Sequence, residues 1–282
     1  KRMKVAIHLP YGSLSQESGL LTLLARYLHY AEVEVVLLGC NGFVSQCKRD
    51  LEFDLNGAVG GVTDSPRGLH SCLACMRDQR ALAEWGEVPR QSLGRYLRPQ
   101  DIDSASAALR WACAAELYAL ELNGVRLYEA CEAWVRSRLG VDLSQEDVRD
   151  TADETCLPEL RRVLFDTAAA CLAVQRFNNH FEPDVSITIG GEDYLSRALA
   201  LQTTRMQLDI ACFKWSFAKR SVLISRSHTE EVLQCDLVID SVHSMRSDVR
   251  TWPSELLRIL ENVSAFCVTG ELVSAKRQQS AG

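Results

Sequence analysis

The stretch Val5-Ala6-Ile7-His8-Leu9, which is ended by Pro10-Tyr11-Gly12-Ser13, decides the fold of this chain. Its apolar residues and short length are typical of a buried β-strand. Leucines and an alanine at helical spacing follow from Leu20 to Leu28, and the run from Val33 to Leu38 predicts a second strand. A strand, a helix and a strand in this order form a β-α-β unit, which implies a parallel sheet with a right-handed crossover.

The pattern of a strand followed by a helix returns late in the chain. Val185 to Ile189 predicts a strand, Gly190-Gly191-Glu192-Asp193 a turn, and Tyr194 to Thr203 a helix. The intervening residues 101–181 read as almost wholly helical. The predicted fold is an α/β, Rossmann-like parallel sheet with an inserted helical block. The expected division is an α/β domain of residues 1–100 and 182–273, a helical insertion of residues 101–181, and a flexible tail of residues 274–282.

Composition narrows the classes of partner. The 282 residues carry a net charge of −6 with no cluster of Lys and Arg, which argues against a nucleic-acid partner. No apolar stretch is long enough to span a bilayer, and the N-terminus lacks the pattern of a secretory signal, so we expect no transmembrane segment and a cytoplasmic protein. In that compartment the 11 cysteines are expected to be thiols or metal ligands.

Four cysteines bracket a glycine-rich loop. Cys40 and Cys47 follow the second strand, and Cys72 and Cys75 form a C-x2-C pair at the start of a helix predicted from Leu73 to Trp85. Strand ends and helix starts of a parallel sheet meet at one edge, so the four sulfurs can converge on one metal ion. Structural zinc is the favoured interpretation, an iron–sulfur cluster is the second, and unliganded thiols or disulfides are the third. The other seven are expected to be packing residues: Cys113, Cys131, Cys156, Cys171, Cys212, Cys235 and Cys267.

These motifs resemble a known family. The Pro-Tyr-Gly turn, Cys40-Asn41-Gly42 with Cys47, and Ser71-Cys72-Leu73-Ala74-Cys75 are similar to the N-terminal domain of bacterial capsule and O-antigen glycosyltransferase-like proteins. The resemblance covers residues 1–100 and, more loosely, 180–250. It departs from the family at Gly190-Gly191-Glu192, where an Asn-Gly-Arg-like turn is expected.

The resemblance implies a role in cell-surface polysaccharide biosynthesis. Such proteins look like two Rossmann-like domains facing across a cleft, in which the first binds a glycan acceptor and the second a nucleotide-sugar. This chain is expected to supply the first domain, to work with a partner chain that carries the donor domain, and to lie in the cytoplasm or peripherally at the inner membrane. Whether it is an enzyme stays open, because a non-catalytic glycan- or partner-binding scaffold and an iron–sulfur redox or regulatory protein are the alternatives.

Ligands of open α/β sheets bind beyond the carboxyl ends of the strands, at a switch point. His8 could act as a base or bond a sugar hydroxyl, although a histidine that ends a strand is often structural. Glu192 and Asp193 could also act as a base or bond sugar hydroxyls, or they could simply interact favourably with the dipole of the helix that follows. The catalytic candidates are therefore His8, Glu192 and Asp193, and the substrate-binding candidates are Tyr11, Gly12, Ser13, Gly190, Gly191, Arg226 and His228.

Overall fold

A computed structural model describes residues 2–11, 16–45, 67–145, 156–189, 193–216, 221–226 and 229–236. The strands are β1 (Lys4–His8), β2 (Glu34–Gly39), β3 (Arg90–Ser92), β4 (Glu121–Leu122), β5 (Val125–Arg126), β6 (Val185–Ile189), β7 (Asp209–Ser216), β8 (Ser221–Arg226) and β9 (Thr229–Asp236). The helices are α1 (Gln16–Tyr30), α2 (Arg67–Gly86), α3 (Pro99–Arg110), α4 (Ala114–Ala119), α5 (Leu127–Leu139), α6 (Leu157–Phe181) and α7 (Tyr194–Arg205), and a 3-10 helix spans Leu93–Tyr96.

The main sheet has the strand order β3-β2-β1-β6-β7-β8-β9. The first five strands of this order are parallel, and β8 and β9 extend the edge in antiparallel fashion. The predicted Rossmann-like parallel sheet is therefore confirmed, with an antiparallel addition that the sequence pattern did not indicate. The last strand among the described residues runs from Thr229 to Asp236.

Alternation along β1 divides the core into two layers. Val5 and Ile7 face a layer that contains the leucines of α1 and Ala83 of α2. Ala6 faces the opposite layer, which is built by α3 to α7. Because both faces are covered, the parallel strands are apolar on both sides, as buried parallel sheets require. His8 of β1 and Ser186 and Thr188 of β6 are buried polar exceptions on the second face.

The helical block occupies the crossover from β3 at the edge to β6 beside β1. Arg176 of α6 donates to the Asp101 carboxylate of α3 and to the Tyr96 carbonyl, and so ties the block to the end of β3. The block also contains the hairpin β4–β5, whose turn is Asn123-Gly124 with φ of 52° and 82°. An Asn-Gly pair between two short strands is a strong hairpin signal, and this hairpin is the exception to the almost wholly helical pattern among the described residues of the block.

The C-x2-C pair does not lie at the start of a helix. α2 begins at Arg67, so Cys72 and Cys75 are inside it, one turn apart on one face. The predicted tail, residues 274–282, lies outside the described residues. Among the described helices, none combines the length and hydrophobicity that crossing a bilayer requires.

Candidate functional site

The connections of β1 and β6 diverge, although the two strands are neighbours. The chain leaves β1 through α1 to reach β2 on one side, and it leaves β6 through α7 to reach β7 on the other. The two helices pack on opposite faces of the sheet. This arrangement is a topological switch point, and its crevice is the standard place for a ligand in an open α/β sheet.

His8 ends β1 at this switch point. Its backbone lies between Leu38 of β2 and Thr188 of β6, and its side chain is 0% exposed. Within the described part of the chain neither imidazole nitrogen has a hydrogen-bond partner, and the same holds for the buried Ser186 hydroxyl of β6. Burial lowers the pKa of His8 to about 4, so the ring is neutral at pH 7. A neutral imidazole without protein partners offers one donor and one acceptor to a ligand.

Cys40 lies directly after β2, in a turn that directs backbone N–H groups at its sulfur. Asn41 and Gly42 have φ of 59° and 83°, and the N–H groups of Gly42, Phe43 and Val44 donate to Cys40 Sγ. Burial raises the pKa of Cys40 to about 11, and the three N–H donors oppose that rise. Backbone amides that converge on a sulfur are typical of iron–sulfur and related anionic sites.

The sulfurs of α2 approach the same turn. A Cβ atom at Gly42 would lie 2.9 Å from Cys72 Sγ, so this sulfur packs directly against the turn. Cys75 is 6% exposed, and its thiol is near enough to Cys40 to raise the pKa of Cys40 further by repulsion. Three of the four predicted ligands are therefore gathered around one turn.

Thiols are the ligands that zinc and iron–sulfur clusters prefer, but the structure does not arrange the described ones as a metal site. No group of three or more His, Cys, Asp or Glu side chains in the described segments is arranged to hold a metal ion. The fourth predicted ligand, Cys47, lies outside those segments. In contrast, Cys131 and Cys171 of the helical block are fully buried, and burial raises the pKa of each to about 12, as expected for packing thiols.

Gln79 joins the sulfur cluster to the switch point. From α2, its Nε2 donates to the carbonyl of Pro10 at 3.1 Å and lies 3.8 Å from Cys75 Sγ. Its Oε1 accepts from Arg90 Nη1 at 3.4 Å. The amide packs over Gly39, where a Cβ atom would meet Gln79 Oε1 at 2.4 Å. One buried side chain thus fixes α2 against the carboxyl ends of β1 and β2 and against the first residue of β3.

Asp166 fixes the other side of the Cys40 turn. This buried residue of α6 accepts hydrogen bonds from Ser45 N at 2.8 Å, from Ser45 Oγ at 3.0 Å and from Tyr194 Oη at 3.3 Å. The sequence analysis overlooked both Asp166 and Gln79. The signal for Asp166 was a single acidic residue on the apolar stripe Val163, Ala170, Ala173 and Phe177.

The remaining predicted residues have four different placements. Asp193 caps α7, where its Oδ1 accepts from Ser196 N at 2.8 Å. Tyr11 is half-buried against the second core layer. Arg226 pairs with Ala211, on a strand that β6 and β7 separate from β1, so the structure does not bring it to His8. The others lie outside the described residues: Gly12, Ser13, Gly190, Gly191, Glu192 and His228.

Comparison with models of known protein families finds no match for the chain, and comparison with curated proteins finds none either. The family resemblance of the cysteine motifs therefore stays a prediction, and the geometry of the site carries the functional argument.

We expect Gly42→Ala to cost more stability than Gly140→Ala. Both glycines have positive φ, so each substitution costs about 1 kcal/mol of backbone strain. Nothing lies within 4 Å of a Cβ at Gly140, whereas Cys72 Sγ lies 2.9 Å from one at Gly42, which should add about 1–3 kcal/mol. Urea unfolding measures the difference. Adding Cys72→Ala to Gly42→Ala should remove the extra cost, and equal losses in the two single variants would refute the close approach.

The stability of the folded chain should fall as the pH falls from about 6.5 to about 4. The pKa of His8 is lowered to about 4 in the folded state, so in this window the unfolded chain binds a proton that the folded chain does not. Unfolding free energies measured at several pH values should lose this slope in His8→Gln. The exposed His29→Gln is the control and should keep it. An unchanged slope in His8→Gln would show that His8 is not buried as described.

Proposed function

We propose that this chain is a glycosyltransferase-like protein of cell-surface polysaccharide biosynthesis, whose switch-point crevice binds a hydroxyl of a glycan acceptor. The observation that carries the proposal is His8, a fully buried imidazole at the switch point that has no protein partner among the described residues. An unpaired buried polar group costs about 1–3 kcal/mol, which a bound hydroxyl would offset. A sugar hydroxyl can donate to one imidazole nitrogen or accept from the other.

We assign His8 to acceptor binding and not to proton abstraction. A general base is most effective when its pKa lies near the working pH, and the pKa of His8 is lowered to about 4 by burial. Asp193, a second candidate base, already uses its carboxylate to cap α7. These two facts favour a binding role for this chain, with the donor domain and the chemistry supplied by a partner chain. The proposed location is the cytoplasm, peripherally at the inner membrane.

We propose further that Cys40, Cys72 and Cys75, together with Cys47, hold a structural zinc ion. Bound zinc lowers the pKa of a coordinating thiol, so it would offset the burial that raises the pKa of Cys40 to about 11. A site with four thiolates has no open position, so its role would be to fix the loop between the two pairs of cysteines.

An iron–sulfur redox or regulatory protein is the second candidate. The observation that favours it is the set of three N–H donors on Cys40 Sγ, because such bonds tune the potentials of iron–sulfur clusters. A brown protein that contains iron would establish this candidate, and a colourless protein that contains zinc would eliminate it.

Cys75→Ser should release the metal. Elemental analysis of the purified wild-type chain is expected to find one zinc ion per chain, and the variant should lose most of it because a site with three thiolates binds zinc less tightly. The exposed Cys113→Ser is the matched control and should retain the metal. Neither zinc nor iron in the wild type, or full retention in Cys75→Ser, would refute the proposed centre.

The acceptor site is tested by ligand-observed NMR with a panel of mono- and disaccharides, free and diphosphate-linked. At least one sugar should bind the wild type, and His8→Leu, which replaces the imidazole with an apolar side chain of similar size, should abolish the signal while the chain stays folded. Nucleotide-sugars added alone should bind weakly, since the donor domain is assigned to a partner. Binding that is identical in wild type and His8→Leu would remove His8 from the site, and no binding by any sugar would refute the proposed function.

A further inference from the structure

A second buried polar side chain lies beside His8 at the switch point. Ser186 of β6 is 0% exposed, and within the described segments its hydroxyl has no hydrogen-bond partner. In the parallel pair of β1 and β6, Ala6 lies opposite Ser186 and His8 lies opposite Thr188. Residues two apart along a strand point to the same face, so the imidazole of His8 and the hydroxyl of Ser186 share one face of two neighbouring strands.

The two groups are diagonal neighbours with little between them. Adjacent strands lie about 4.8 Å apart and each residue advances a strand by about 3.3 Å, so the Cα atoms of His8 and Ser186 are about 8 Å apart. Ala6 contributes only a methyl group at the position opposite Ser186. Thr188 donates from Oγ1 to the Ile189 carbonyl at 3.4 Å. One group that bonded both His8 and Ser186 would satisfy two buried polar side chains at once.

Both groups are neutral at pH 7. Burial lowers the pKa of His8 to about 4, and a serine hydroxyl does not ionise in this range. A phosphate binds best to cationic side chains or to convergent backbone N–H groups. A sugar hydroxyl, in contrast, can donate to an imidazole nitrogen or accept from a serine hydroxyl. The pair therefore favours the hydroxyls of an uncharged sugar ring over an anionic group.

We propose that Ser186 is a second binding residue of the acceptor site, and that together with His8 it selects an uncharged sugar ring that presents two hydroxyls to this face of β1 and β6. The inference rests on the proposed function and deepens it, because it names the part of the acceptor that enters the crevice. Any phosphate of the acceptor would lie outside the crevice. Loss of one neutral hydrogen bond weakens binding by about 2- to 10-fold, and a site that bonds a hydroxyl discriminates against the analogue that lacks it.

Ser92 offers a matched control for Ser186. Its hydroxyl is also buried and has no partner within the part of the chain that the structure describes. Ser92 lies opposite Gly39 on the edge strand β3, which β2 separates from β1. Gln79 of α2 packs over Gly39, so this position belongs to the α2 side of the sheet and not to the side of His8. Ser92→Ala and Ser186→Ala thus make the same chemical change at two different places.

The test uses the full chain and ligand-observed NMR titrations with the methyl glycosides of glucose, galactose, mannose and N-acetylglucosamine, each beside its monodeoxy analogues. A parent sugar that binds the wild type should lose affinity in two of its monodeoxy analogues. Ser186→Ala should weaken the parent sugar by about 2- to 10-fold and should no longer distinguish it from one of those two analogues. Ser92→Ala should keep the affinities of the wild type, and inorganic phosphate should not compete.

The outcomes separate this inference from the proposed function. A wild type that binds none of these sugars overturns both. Binding that His8→Leu abolishes and Ser186→Ala leaves unchanged overturns only the inference, and an ordered water would then satisfy the Ser186 hydroxyl. An equal loss in Ser92→Ala, or competition by inorganic phosphate, also overturns it. If Ser186→Ala fails to fold, Ser186→Cys replaces it, because a thiol is of similar size and bonds weakly, and unchanged discrimination among the analogues overturns the inference.

Discussion

The rest of the site depends on one constraint, which is that the Cys40 sulfur is buried at the end of a parallel strand. Burial favours the neutral thiol, and three backbone N–H groups favour the thiolate. The turn can supply those groups because Asn41 and Gly42 both have positive φ. Desolvation outweighs the donors in the protein alone, since the pKa of Cys40 is raised to about 11. In the protein alone, Cys40 is therefore a buried neutral thiol that accepts backbone hydrogen bonds.

The Cys40 turn and the switch point lie side by side at the carboxyl edge of the sheet. β2, which leads to Cys40, pairs directly with β1, which leads to His8. Gln79 then bonds the chain after β1 and contacts Cys75. A structural metal would therefore do more than close a loop, because the helix that carries two of its ligands also positions the backbone beside His8. This connection explains why a centre without an open coordination position could still be required for ligand binding.

Local patterns predicted the elements of this fold better than its contacts. The strand predicted from Val185 to Ile189 matches β6 residue for residue, because its residues, four of them buried, alternate across a sheet that is covered on both faces. The start of α2 was missed because its first turns, which carry Arg67, Gly68 and Ser71, are poor in apolar residues. The sequence placed His8 at the end of β1, where the structure has it, but its lack of a partner within the described residues depends on tertiary packing and could not be predicted from spacing. Gln79 and Asp166 depend on contacts 69 and 121 residues away along the chain.

The helical block also contacts the candidate site and does not only cover the sheet. An insertion in a crossover would ordinarily be expected to pack on the sheet through apolar side chains alone, and most of α6 does so. Asp166 is one of three buried polar residues of α6, with Thr167 and Asn178, and a carboxyl group in an apolar layer costs free energy unless it is hydrogen-bonded. Its partners come from the turn after Cys40 and from the first residue of α7, two segments that flank the carboxyl edge of the sheet on either side of β1. The buried carboxyl group of Asp166 accepts hydrogen bonds from both segments and so restrains both at once. This is the physical reason to regard α6 as part of the site formed by the Cys40 turn and the switch point.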